Sequence, residues 1–293
     1  MACPSPKNPI KLHVRSISLP SKLHPTYAKI DEKLNEFRSW SATCTSSSVS
    51  VLEGLPRAKE LYFCCFEEVL CRRNAQQILG KHRQEKSVEG LLEGSVKILD
   101  VCAISRELLW KIKERVRDLQ STIRRRKTGQ SLEVEAARFA ELRKTVKKQV
   151  KGLIASLKQM RNEIIGVSPS VSSNEDDQLS EIIRMLIQVQ LSSILVFHLL
   201  FSFLAQPRQV RGSVMSRMIH RQGGDLNDME GIDASLRSLY KVKRFGDFEI
   251  LHQKVRKQLG ELDFNVGRIE DGLESIFRQL IRTRASLLNI ISQ

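Results

Sequence analysis

The chain has 293 residues, 41% of them apolar but only 5% aromatic, and a formal net charge of +15. Leu and Ile therefore do the packing, as in long helices rather than sheets, and the length allows one elongated domain or two compact ones. The charge is concentrated: between Arg106 and Arg161 stand 17 Lys/Arg against 6 Asp/Glu, a local net of +11. Such a field attracts the phosphates of nucleic acid or anionic lipid, unless it is a solvated pair of helices whose acidic partner is another protein. The six cysteines form no C-x-x-C pair and have no His at metal spacing. The N-terminus also lacks an apolar signal-peptide core. Reduced thiols in a cytoplasmic protein are expected, with Cys64, Cys65, Cys71 and Cys102 as small core residues.

Residues 1–24 read as a disordered basic arm. Five of the eight prolines (Pro4, Pro6, Pro9, Pro20, Pro25) fall in the first 25 residues, and Lys7, Lys11, Arg15 and Lys22 meet no acid before Asp31. An organelle transit peptide has a similar composition, but the prolines oppose the amphipathic helix that mitochondrial import needs. Within the arm, Arg15-Ser16-Ile17-Ser18-Leu19-Pro20 fits R-S-x-S-x-P, the form that 14-3-3 proteins bind once the second serine is phosphorylated. A phosphate on Ser18 adds about −1.5 to −2 charges for an arginine cluster to hold, and Pro20 turns the peptide out of the groove.

Residues 25–293 read as one helical-bundle domain. The first helix starts at Pro25 and carries Ile30, Leu34, Phe37 and Ser41 on one face, before a polar break at Thr43–Ser50. A second helix presents Val51, Leu52, Leu55, Leu61, Tyr62, Cys65 and Val69, with a kink or a delayed start at Pro56. Arg72–Gln84 is ambiguous. Val88, Leu92, Ser95, Leu99, Cys102, Leu109, Ile112, Val116, Leu119 and Ile123 then form a long stripe. It ends in Arg124-Arg125-Arg126-Lys127, where cations suit the negative end of the helix dipole. A helix from Ser131 follows, striped by Phe139, Leu142, Val146, Val150, Leu153, Leu157, Met160 and Ile164, and the short loop makes the two an antiparallel hairpin. Its outer faces hold Arg143, Lys144, Lys147, Lys148, Lys151 and Lys158. With Arg124, Arg125, Arg126 and Lys127 they are the candidate contact with an anionic surface.

Flexible linkers are expected at about 166–177 and 208–246. In the second, Gly223-Gly224 and the acids Asp225, Asp228, Glu230 and Asp233 do not sustain a packed face, apart from a short helix around Ser235–Val242. Between the linkers, 179–205 is the most apolar stretch, with no formally charged residue from Leu186 to Ala205. That is just long enough to span a bilayer, and Arg208, Arg211, Arg217 and Arg221 would then place its C-terminal flank in the cytoplasm. Against spanning stand Gln188, Gln190, Ser192, Ser193, Ser202 and His198. A helix apolar all round equally serves as the central member of a bundle, and this reading is preferred for the helix marked by Leu186, Leu195, His198 and Leu204. His198 then reads as a neutral core histidine bonded to a serine.

From Asp247 to Gln293 the stripe Leu251, Val255, Leu259, Leu262, Val266, Ile269, Leu273, Ile276, Leu280, Leu287 and Ile291 recurs at helical spacing. A helix of that length cannot bury its stripe alone. It is expected to close an intramolecular bundle against Val88–Ile123 and Phe139–Ile164, with 179–205 between them.

No constellation of catalytic residues is evident: there is no phosphate-binding glycine loop, no H-E-x-x-H, no G-x-S-x-G and no twelve-residue calcium loop. The six histidines are scattered singly. No catalytic residue, cofactor or metal is expected. The basic hairpin has few aromatics and no base-reading motif, so neither specific nucleic acid nor a small-molecule substrate is expected. Protein partners come first and an anionic membrane surface second.

Four blocks carry a resemblance: Arg15–Ser21 with His24-Pro25; Leu91-Leu92-Glu93-Gly94-Ser95-Val96-Lys97-Ile98-Leu99-Asp100 with Cys102; Leu119-Gln120-Ser121 leading into Arg124-Arg125-Arg126; and Gly272–Arg278 through Arg282–Asn289. They resemble the plant-specific DUF241 family, related to BYPASS-type proteins. Cys71-Arg72-Arg73-Asn74 departs from the family, which has a Leu-Pro-containing turn before the glutamines that are Gln76-Gln77 here. The resemblance implies an α-helical plant protein whose relatives are tied to root and shoot development, and it brings no active site. The combined expectation is an all-α, elongated antiparallel bundle acting as a non-enzymatic adaptor or regulator through protein contacts. The alternative is a membrane-associated protein, peripheral through the hairpin or integral through 186–205.

Overall fold

The computed structural model describes residues 27–45, 47–125, 130–166, 174–205, 228–241 and 245–293, and every regular element among them is helical. In chain order these are α1 (Ala28–Ser41), α2 (Ser48–Cys65), α3 (Arg73–Lys81), α4 (Lys86–Arg124), α5 (Gln130–Gly166), α6 (Asn174–Ala205), α7 (Asp228–Lys241) and α8 (Phe245–Ser292). The basic arm lies outside the described residues. At 48 residues, α8 is the longest helix, about 72 Å at about 1.5 Å per residue. It lies along α4 on one side and α2 on the other, and α7 packs on it as well. The ring closes through α5 on α4, α6 on α5, and α2 on α6, with α4 also touching α6. The expected elongated antiparallel bundle is the fold.

Polar clasps fix the register of α4 against α8. The Cys102 thiol donates to the Leu273 carbonyl (3.7 Å), the Gln120 amide to the Leu259 carbonyl (3.0 Å), and Arg284 to the Leu92 carbonyl (2.7 Å) and Ser95 Oγ (2.8 Å). At the far end, buried His252 places Nε2 3.0 Å from the Ile123 carbonyl in the last turn of α4. Only a protonated Nε2 can make that bond.

The α8 stripe is buried from Val255 to Leu280, and the seven-residue step to Leu287 is filled by buried Thr283. On α4 the buried face is wider than one stripe. Leu91, Gly94, Ile98, Val101 and Leu108 are fully buried beside the expected residues, while Leu92 and Leu99 are only partly covered. The cause is that α4 meets α5, α6 and α8 together.

Several expected boundaries change. Ser47 caps α2 through its hydroxyl, which accepts from the Ser50 amide at 3.2 Å. The helix therefore begins at Ser48 and runs straight through Pro56, instead of waiting for it. A single π turn, Phe66–Leu70, follows, and the Gln76 side chain donates to the carbonyl of Leu70 at 2.7 Å. That turn and α3 resolve the ambiguous 72–84. Cys71, expected in the core, is exposed after the turn. The acidic run Glu175-Asp176-Asp177 is the first turn of α6 rather than part of a joint. Residues 228–241, assigned to a linker, form α7 with Met229, Ile232, Leu236 and Leu239 buried.

The apolar helix α6 is the inner member. Leu186 and Leu204 are buried, Leu195 and His198 half-buried. Gln178–Ala205 is long and apolar enough to cross a membrane, yet 72% of an 18-residue apolar window within it is buried inside the bundle. Its polar side chains have bundle partners: the Gln190 amide donates to the Leu91 carbonyl (2.8 Å) and Ser193 to the Tyr62 hydroxyl (3.1 Å).

Close approach is tight at Gly272, where an added Cβ would meet Leu55 at 2.8 and 3.1 Å, whereas Gly152 and Gly260 face open space. Gly272→Ala is expected to lower stability by about 1 kcal/mol, overpacking outweighing the helix-propensity gain. Gly152→Ala is expected to raise it by about 0.5–1 kcal/mol. Urea midpoints decide; a raised midpoint for Gly272→Ala would show that α2 and α8 separate freely.

Candidate functional site

Three groups with the potential for covalent chemistry are shielded by burial. Desolvation pushes the Cys65 and Cys102 thiols up to about 12 and raises the Tyr62 hydroxyl as well. Thiolate nucleophiles are therefore absent at those positions near neutrality. Among the described residues no three His, Cys, Asp or Glu side chains come together at metal-binding distance. The Ser202 hydroxyl lies 3.5 Å from Nδ1 of His198, in the pairing expected from the sequence. Burial first, and the nearby Lys158 charge second, hold His198 below its usual range, so the ring is neutral near pH 7.

The basic excess divides into two unequal parts. On α4, Arg106 pairs with Glu274 (2.7 Å), Lys113 with Glu270 and Arg117 with Asp263 (3.2 Å), so α8 carboxylates neutralise its inner edge. Along α5, Lys144, Lys148, Lys151 and Lys158 are exposed and Lys147 is half-buried. Steps of four, three and seven keep Lys144, Lys148, Lys151 and Lys158 on one face, over about 21 Å. Of these, Lys144 meets Glu141 at 3.3 Å, a pair in which both side chains are largely exposed and worth little. At the end of α4, Arg124 and Arg125 are exposed, while Arg126 and Lys127 lie outside the described residues. Arg15, Ser16, Ser18 and Pro20 also lie outside them.

Arg143 leaves this surface altogether. Its side chain is 5% exposed, with Nε 3.4 Å from the Asp233 carboxylate on α7 and an Nη donating to the Met229 sulfur at 2.8 Å. The sequence does contain the signal: Phe139, Arg143, Val146 and Val150 are spaced four, three and four, which is the spacing of the stripe itself. Charge alone assigned it outward.

Sequence reasoning also missed a cleft of about 460 Å³ between α1, α5 and α6, lined by apolar side chains and by Arg38, Lys158 and Arg161. Its α1 wall lies more than a hundred residues from its α5 and α6 walls, so no local pattern announces it.

No curated protein and no solved structure matches the chain. The family model described as Protein BPS1 matches residues 54–290, from α2 almost to the end of α8. The resemblance to BYPASS-related proteins is thereby upheld: the chain belongs to the BPS1 family, whose members are regulatory proteins of plant development.

Proposed function

We propose that the chain is a non-enzymatic, cytoplasmic adaptor of a developmental pathway, which recruits an acidic protein partner along the outer face of α5. The observation behind this reading is the asymmetry of neutralisation. Arg106, Lys113 and Arg117 of α4 are matched by α8 carboxylates, whereas Lys144, Lys148, Lys151 and Lys158 turn to solvent with, among the described residues, no carboxylate of another helix at ion-pair distance. Exposed like charges on one face steer and select an oppositely charged surface more than they stabilise a fold. In the same reading the arm supplies a second, switchable contact: phosphorylation of Ser18, set by Arg15, Ser16 and Pro20, creates a 14-3-3 docking peptide. The apolar helix α6 is read as the interior of the bundle, because its polar side chains find partners there.

The test is charge reversal at three exposed positions, Lys144→Glu, Lys148→Glu and Lys151→Glu together. Co-purification of the partner from plant extract is expected to fall by more than about tenfold and to weaken with salt, with the melting temperature unchanged. Partner capture that survives the reversal would refute the proposal. So would flotation of the wild-type chain with anionic vesicles that the reversal abolishes, since that result assigns the face to a membrane.

A further inference from the structure

The cleft between α1, α5 and α6 combines two chemistries. Its floor is apolar, made by Leu34 and Phe37 of α1, Leu157 of α5, and Ile194 and Leu195 of α6. Its rim carries Arg38, Lys158 and Arg161, and no carboxylate lines it. Arg38 is oriented by neutral acceptors only, Asn35 Oδ1 at 2.9 Å and Gln188 Oε1 at 3.2 Å. Among the described residues, no carboxylate stands within ion-pair distance of Lys158 or Arg161. Their fields are therefore uncompensated, and His198 on the α6 wall is held neutral by burial with Lys158 beside it.

The larger cleft between α5 and α7 makes the contrast. There Glu133 and Asp233 stand among Arg143, Lys144, Lys147 and Arg237, so the lining supplies its own counter-charges. The α1–α5–α6 cleft has cations and no anions, and its volume of about 460 Å³ falls in the range of about 300–1,000 Å³ typical of small-molecule sites.

We propose that this cleft binds a small soluble organic anion, a carboxylate with an apolar tail or ring, its head group held by Arg38, Lys158 and Arg161 and its body on Phe37, Leu34 and Leu195. An arginine fork and a lysine ammonium suit a carboxylate head, and the apolar floor excludes a purely hydrophilic ion. The site shares Lys158 with the proposed α5 contact face, and its other lining residues lie outside that face. Ligand binding beside α1 gives the adaptor a route to sense a metabolite, because α1 rests on α2 and α6 and a ligand bridging α1 to α5 would tie them together.

Full-length protein is titrated with anilinonaphthalene sulfonate, an organic anion that fluoresces in apolar sites, and the probe is then competed off. One probe per chain is expected to bind. Decanoate is expected to displace it, whereas decanol and inorganic phosphate at the same concentration leave it bound. Lys158→Gln with Arg161→Gln is expected to weaken decanoate by about tenfold or more, and Leu195→Trp to block it by filling the floor. The Lys144→Glu, Lys148→Glu, Lys151→Glu variant is expected to bind decanoate as wild type does, which separates this site from the contact face. Melting curves confirm that each variant is folded. Equal displacement by decanol, displacement by phosphate alone, or full decanoate affinity in the Lys158→Gln, Arg161→Gln variant would overturn the proposal.

Discussion

A chain ending at Gly246 is expected to lose cooperative unfolding and to collect in the insoluble fraction. The truncation removes Val255, Leu259, Leu262, Val266, Ile269, Leu273, Ile276, Leu280, Leu287 and Ile290, each at most 5% exposed. At about 2 kcal/mol for each buried side chain, the loss exceeds the net stability of about 5–15 kcal/mol that a folded domain holds in reserve. The damage is also distributed. α4 loses the partner that takes its Cys102–Ile123 face, α2 loses one of its two main neighbours, and α7 loses the helix it chiefly rests on. Arg106, Lys113 and Arg117 would lose Glu274, Glu270 and Asp263 in the same step, adding three uncompensated charges to an already basic α4. Circular dichroism on heating and size-exclusion chromatography check the expectation. A truncated chain that stays soluble, helical and cooperative on melting would show that α8 is an appendage of a bundle complete without it.

Long periodic segments were legible because their signal is local and repeated. The α8 stripe needs only its own spacing, and even its one seven-residue gap is occupied by an in-phase residue, Thr283, that hydropathy discounts. α7 was legible only in its second half, around Ser235, for the opposite reason. Its face, Met229, Ile232, Leu236 and Leu239, belongs to a helix of 14 residues that begins among Asp228, Glu230 and Asp233, too short to declare itself against that acidity, since a short helix takes its stability from the surface it packs on. The partition of charge was illegible in principle: whether Arg106 or Lys151 meets a carboxylate depends on α8, more than a hundred residues away. The family resemblance carries the same lesson. The blocks around Ser95–Cys102, Gln120 and Gly272–Arg284 supply the side chains that clasp α4 to α8, so they speak for the fold. They are silent about the lysine face and the α1–α5–α6 cleft.

Arg143→Ala is expected to loosen α7 selectively and to lower stability by about 2–3 kcal/mol. Breaking a buried ion pair by removing one partner costs about 3–5 kcal/mol where the remaining charge stays dry. Asp233 keeps 19% exposure, so water recovers part of that cost. Arg237, one turn along, does not take over in the present geometry, because its Nε donates to the Asp233 backbone carbonyl at 3.1 Å and not to the carboxylate. Truncation also removes the buried arginine stem and whatever it packs on. The consequence stays local, since α7 rests on α8 and more lightly on α5, and its release leaves the α2–α4–α5–α6–α8 ring in place. Limited proteolysis should therefore cut within 228–241 well before the urea transition of the whole chain. Arg143→Met combined with Asp233→Leu separates charge from packing: it keeps the stem, leaves no orphaned carboxylate, and is expected to return stability to within about 1 kcal/mol of wild type. If Arg143→Ala leaves both the urea midpoint and the proteolytic pattern unchanged, Arg143 belongs after all to the outer basic face where its charge first placed it.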